Sequence, residues 1–155
     1  MEDNYFASVG AIVLKENKVL VCRHTYGSAA GKIWNPGGFI QKGELPTDAV
    51  KREVLEETGI IINPIGVLSI RCSPNDWYMV FLAEYVSGEP KSDGSENSEA
   101  FFMDCDELAQ SEDTTHTVKM LVKTALNKKP IIPILCTEPL LPKNGRLLFT
   151  SNENI

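Results

Sequence analysis

Histidine and cysteine are scarce in this chain. It has two histidines and four cysteines, and Cys22, Cys72, Cys105 and Cys136 lie far apart with no C-x-x-C pair among them. That spacing excludes a zinc ribbon and a disulfide framework, and leaves buried, reduced thiols as the expectation. His24 and His116 each stand alone and read as surface or packing residues, not catalysts. No apolar run is long enough to cross a membrane. The segment MEDNYFASVG lacks the basic-then-apolar layout of a secretory leader, so the expected location is the cytoplasm. Excess positive charge is missing too: the net charge is −6, and neither Lys128-Lys129 nor the scattered lysines form a basic stripe. General attraction to nucleic acid is therefore excluded. A small phosphorylated substrate stays compatible if a bound metal reverses the local charge. No internal repeat is present.

What is there suits one domain. At 155 residues and 43% apolar content the chain can bury one core, and not comfortably two. Tyr5 to Leu14 and Lys18 to Arg23 read as paired strands turning at Glu16-Asn17. Gly27 to Gly31 is a loop, Ile60 to Cys72 two short strands or one bent strand, and Trp77 to Val86 a further strand. Glu89 to Ser98 is a polar loop of the kind that carries function on a rigid scaffold. Phe101 to Met103 closes the sheet, and Asp104 with Glu107 resembles a capping box for a short helix. Val118, Leu121, Val122, Ala125 and Leu126 follow the spacing of an amphipathic helix that begins near Thr115 and stops at Lys128-Lys129-Pro130. The expectation is an α/β fold, a mixed β-sheet flanked by helices. It occupies residues 1–129, with a proline-rich extension over 130–155 packed on the domain or on a second subunit of a homodimer.

The chemistry concentrates between Gly38 and Ile60, GFIQKGELPTDAVKREVLEETGI. Pro46 suits a first helical turn, Asp48 complements the dipole there, and Gly59 is a left-handed stop, so the helix runs from about Pro46 to Thr58. At about 100° per residue, Glu56 and Glu57 leave the helix roughly 60° behind and 40° ahead of Glu53. Three carboxylates thus share one side, with Arg52 four residues before Glu56. A solvated acidic face would cost only about 0.2–0.5 kcal/mol per like-charge pair, so energy alone does not exclude that reading. Pattern does. Gly38, Glu44, Arg52, Glu53, Glu56, Glu57 and Gly59, with apolar Val54 and Ile60, meet a fixed template whose chance occurrence is about one in a million.

That template, G-x5-E-x7-R-E-U-x-E-E-x-G-U with U apolar, resembles the signature of the Nudix hydrolases, and the resemblance covers roughly Phe6 to Leu126. It implies an α/β/α sandwich and a metal-dependent enzyme that cleaves a diphosphate linkage in a small nucleotide, with Mg²⁺ or Mn²⁺ as cofactor. Hard, small Mg²⁺ takes a few carboxylates plus phosphate oxygens, neutralises the diphosphate and lowers the pKa of a bound water. By resemblance Glu56 and Glu57 are metal ligands with the Gly37 carbonyl as a further oxygen, and Glu53 is a ligand or the general base. Arg52 orients the carboxylates, and Glu44 supports Arg52 or borders the substrate. The Gly37-Gly38 pair lets backbone approach metal or phosphate closely.

A further catalytic or ligating glutamate is expected before a late strand, where Glu96 and Glu99 are candidates and Glu99, just ahead of Phe101-Phe102, holds the more familiar place. Trp34, Trp77, Tyr78 and Phe39 are candidates for stacking on a base. Asn35 departs from the apolar residue that usually precedes Pro-Gly-Gly, which leaves the packing there open. Substrate markers point several ways: Pro74 toward ADP-ribose-type enzymes, Tyr78 toward dinucleoside polyphosphate enzymes, Phe39 toward sugar-nucleotide cleavers. An ADP-ribose-like or sugar nucleotide leads. The alternatives are a nucleoside triphosphate or dinucleoside polyphosphate pyrophosphohydrolase and, from a different class, a non-catalytic nucleotide sensor.

Overall fold

A computed structural model describes residues 6–127, 130–135 and 147–150. Its central feature is a seven-stranded mixed sheet that forks along β1 (Phe6–Lys15). β1 runs parallel to β6 (Asp76–Ser87), which pairs antiparallel with β5 (Ile61–Ser73). On its other edge β1 uses two partners. Its C-terminal end takes β2 (Lys18–His24), through Leu14 with Val19, and its N-terminal half takes the short β4 (Gly37–Phe39), through Ser8 with Phe39 and Gly10 with Gly37. β2 in turn carries β3 (Ile33–Trp34) and β7 (Asn97–Asp104). The space between the β4 and β2 branches becomes the functional cavity.

Helices cover both faces. α1 (Pro46–Thr58) opens with proline in its first turn and closes at Gly59, whose φ of 70° puts it in the left-handed region and whose N–H donates to the Leu55 carbonyl. It buries Ala49, Val50 and Val54 against Val9, Ala11, Leu20, Phe81 and their neighbours. Each valine contributes about 1.5–3 kcal/mol of burial. α2 (Cys105–Gln110) and α3 (His116–Asn127) cover the opposite face, where Leu108, Val118, Leu121 and Val122 pack on Ile12, Val21 and Val80. Asp104 caps α2 by accepting from the N–H groups of Asp106 and Glu107. This is the helix–sheet–helix arrangement expected from the sequence.

Several local expectations change. Of the two readings of Ile60 to Cys72 the single strand holds, as β5 from Ile61 to Ser73 with register shifts along it, and β7 begins at Asn97, ahead of the expected Phe101. Leu126 is 51% exposed, because the stripe of α3 rotates off the sheet in its last turn. Cys22 and Cys105 are buried as free thiols, but Cys72 is exposed near the β5–β6 turn; Cys136 and Lys128-Lys129 lie outside the described residues. Beyond α3, Ile131 exchanges both backbone hydrogen bonds with Val67 on the sheet edge, at 2.7 and 2.9 Å. Gly66 makes that approach feasible, since a Cβ there would strike the Ile131 carbonyl. β8 (Ile132–Leu135) pairs with β9 (Leu147–Thr150) as a separate two-stranded sheet. Among the described residues no helix is long and apolar enough to cross a membrane.

Candidate active site

The C-terminal half of α1 and the β4 backbone make one wall of the site. Arg52 organises it. Its Nε and Nη2 donate to the two oxygens of Glu44 at 2.8 and 2.9 Å, its Nη1 donates to Glu53 at 2.6 Å and Glu56 at 3.2 Å, and Nη2 also reaches the Phe39 carbonyl at 3.0 Å. Bidentate, charge-assisted contacts of this kind fix orientation as well as contribute energy. Glu44 also accepts from the Gln41 N–H. Both its oxygens are thus engaged by the protein, in the place of a support for Arg52. The Arg52 guanidinium holds the Glu44 carboxyl below its usual range.

Glu53 presses against Gly38, where any Cβ would collide with its carboxylate. That requirement explains the second glycine of the pair; the first is needed because a Cβ on Gly37 would meet the Val9 carbonyl. Burial pushes the Glu53 carboxyl up, against the pull of Arg52. Glu57 turns inward, is 6% exposed, and accepts from the Gly37 N–H at 3.0 Å. Burial raises its pKa to about 8, the Gly37 N–H opposes that rise, and the charges of Glu96, Glu53 and Asp93 add to it. Glu56 is the most exposed of the three.

The facing wall comes from β2, β3 and the loop before β7. Asp93 shapes that loop by accepting from the N–H groups of Ser95, Glu96 and Asn97 at 2.9, 3.0 and 3.1 Å. Thr25 ties it to the β2 end through the Ser95 and Glu96 carbonyls, and Asn97 Nδ2 ties it to the end of α1 through the Glu57 carbonyl at 2.9 Å. Glu96 therefore lines the same cavity as Glu53, Gly37 and Gly38, a space of about 710 Å³. Glu99 does not line it: it sits opposite Arg23 on β7 and pairs with it at 2.9 Å, while Arg23 also holds Asp113.

Of the aromatic candidates, Trp34, Tyr78 and Phe39 line the cavity, and Trp77 does not. Tyr78 is buried, with its hydroxyl accepting from Asn35. The structure adds Phe6, Tyr26, Arg71 and Asp76 to the lining, together with His24, whose ring meets Trp34 edge-on at 6.2 Å. Burial lowers the His24 pKa, opposed by Glu96 and Asp93. His24, expected at the surface or in packing, and the other four belong to no local sequence pattern; only long-range strand pairing gathers them.

Does a divalent cation fit? Among the described residues, no three metal-ligating side chains already stand in ligand geometry. The donor chemistry is nevertheless that of a hard cation: Glu56, Glu57, Glu96 and the Gly37 carbonyl offer oxygens only. Glu57 in particular is a buried carboxylate whose ionised form is opposed by three others. A cation relieves that repulsion, so the residues fit.

A family model, "NUDIX domain", matches residues 4–123. The chain is 34% identical over 107 residues to an ADP-ribose pyrophosphatase of Methanocaldococcus jannaschii, covering 65% of this chain and 63% of that protein. It is 32% identical over 124 residues to the NAD-capped RNA hydrolase NudC of Vibrio parahaemolyticus, covering 79% of this chain and 47% of that one. It thus spans less than two thirds of either relative. Two NUDIX hydrolase structures from Nitrosomonas europaea share the fold. One has a TM-score of 0.73 at 24% identity, covering 84% of this chain and 77% of that one; the other has 0.67 at 26%, covering 81% and 93%.

Proposed function

This chain belongs to the Nudix hydrolase family, and from that premise we propose that it is a Mg²⁺-dependent pyrophosphohydrolase that splits the diphosphate bond of an ADP-ribose-like nucleotide. The observation that carries this reading is the convergence of Glu53, Glu96 and the Gly37-Gly38 backbone on one aromatic-lined cavity. A bound divalent cation supplies charge neutralisation of the diphosphate and acidifies the attacking water. Glu56, Glu57, Glu96 and the Gly37 carbonyl would hold it.

The remaining work falls to side chains. Glu53 is the general base: one oxygen is anchored by Arg52 Nη1 at 2.6 Å, and its burial-raised pKa makes it a better proton acceptor than a solvated glutamate. The free oxygen takes the proton of a water as that water attacks one phosphorus, and the bridging P–O bond breaks to release two monophosphates. Arg52 keeps Glu53 from swinging away, with Glu44 fixing Arg52 in turn. The loop glutamate in this scheme is Glu96, because Glu99 is turned to Arg23.

The test is incubation with Mg²⁺ and a panel of ADP-ribose, nucleotide sugars, dinucleoside polyphosphates and nucleoside triphosphates. ADP-ribose should yield AMP and a sugar phosphate, with orthophosphate appearing only after phosphatase is added. Pyrophosphate released directly from triphosphates would identify the alternative pyrophosphohydrolase. Tight binding without turnover of anything would identify a sensor.

A further inference from the structure

The chemistry above uses the glutamate wall and leaves unexplained the wall built by β1, β4 and the β5–β6 hairpin. Phe6 and Phe39 meet there with ring centroids 5.6 Å apart, and they are 51% and 62% exposed. Exposed, paired aromatics at a cavity rim mark a surface that a flat ligand covers. On the same wall Arg71 Nη2 pairs with Asp76 Oδ2 at 2.7 Å and its guanidinium lies over the Tyr78 ring at 5.1 Å, while Ser8 Oγ donates to Asp76 Oδ1 at 3.1 Å. Each Asp76 oxygen accepts one of these bonds and keeps capacity for another.

Asn35 completes the set. It is 1% exposed and donates through Nδ2 to the Tyr78 hydroxyl at 2.8 Å and the Pro36 carbonyl at 3.3 Å. Its Oδ1 is buried with no hydrogen-bond partner. Gly10 makes room for the pair, since a Cβ there would run into the Tyr78 hydroxyl and the Asn35 amide. A buried acceptor without a donor asks for an explanation, and at a cavity lining the natural one is a ligand N–H.

We propose that this wall reads the nucleobase and selects one carrying an exocyclic amine over uracil, with Asp76 and Asn35 as the specificity-determining acceptors and Phe6 and Phe39 as the stacking face. Adenine, guanine and cytosine each bring an amino donor to these acceptors. Uracil brings a single N–H between two carbonyl oxygens, which would face the Asp76 carboxylate and the Asn35 carbonyl and be repelled. Stacking alone serves every base and discriminates little. Leaving buried polar groups unpaired is what rejects the wrong ligand strongly. The assignment rests on reading the cavity as a nucleotide site.

The experiment is calorimetric titration of the protein with AMP, GMP, CMP and UMP in EDTA, where no diphosphate can be cleaved. UMP should bind about tenfold or more weakly than the best of the other three. Asp76→Asn, a half-buried and nearly isosteric change that swaps an acceptor for a donor, should bring UMP within about threefold of it. Asn35→Leu, with folding checked by circular dichroism, should shrink the preference likewise. Equal affinity for UMP, a preference that survives Asp76→Asn, or no binding of any monophosphate would overturn the proposal. If the base preference holds but Mg²⁺ supports no turnover, the hydrolase reading fails and this one stands.

Discussion

α1 and α3 lie on opposite faces of one sheet and are built to different ends. α3 buries Val118, Leu121, Val122 and Ala125, all apolar, and with them completes the core. α1 buries Ala49, Val50 and Val54 at the same kind of interface, yet spends its last turns on Glu53, Glu56 and Glu57, and buries Glu57 nearly as deeply as a core residue. A buried carboxylate opposed by Glu96, Glu53 and Asp93 weakens the metal-free fold. On the proposed reading, α3 packs for stability alone, whereas α1 carries at Glu57 a charge that a bound cation would satisfy.

Substitutions on the two helices should therefore fail in different ways. The largest effect expected is Glu53→Gln, which should lower kcat by about a hundredfold or more while leaving Mn²⁺ affinity by electron paramagnetic resonance nearly intact. If that variant stays active and Glu96→Gln does not, the base is misassigned. Next is Leu121→Ala on α3, expected to cost about 2–5 kcal/mol in urea unfolding while kcat per folded molecule is unaltered. A matching loss of kcat there would erase the distinction between the helices.

The pH response of α1 is a third, smaller effect. The folded-state pKa of Glu57, about 8, lies above its usual 4.5, so between those values the folded protein holds a proton the unfolded chain has released. Its stabilising contribution is complete below about pH 4.5 and is lost as the pH rises through about 8. Metal-free protein should lose melting temperature across that window, and a flat profile would contradict the assignment. Smallest of all, Leu126→Ala should shift stability by less than about 0.5 kcal/mol, because Leu126 has left the core stripe.

The same contrast explains what could be read from the chain. α1 was legible to its ends because its signals are local: Pro46 starts it, Gly59 stops it, and the Glu44–Arg52 and glutamate spacings act within a few turns. The α3 stripe was legible for the same reason, apart from its last turn. The choice between Glu96 and Glu99 was not, because the β2–β7 register bears on it. The regular pairing sets Glu99 opposite Arg23, and a shift between Arg23 and His24 then brings Asn97 opposite His24, leaving Glu96 just before the strand. In a strand one residue of slip exchanges the faces. The base-reading wall was hidden more deeply. Phe6 meets Asp76, and Ser8 meets both Tyr78 and Phe39, only through the pairing of β1 with β6 and β4, across separations no periodicity reports.

The claim that Glu57 is a cation-binding group held at the expense of the metal-free fold is tested most directly by one comparison. Melting temperatures of the wild type and Glu57→Gln are measured at about pH 9, with and without Mg²⁺. Without Mg²⁺ the glutamine variant should be the more stable, and with Mg²⁺ the order should reverse because only the wild type gains. A variant less stable under both conditions, or a wild type indifferent to Mg²⁺, would contradict the account.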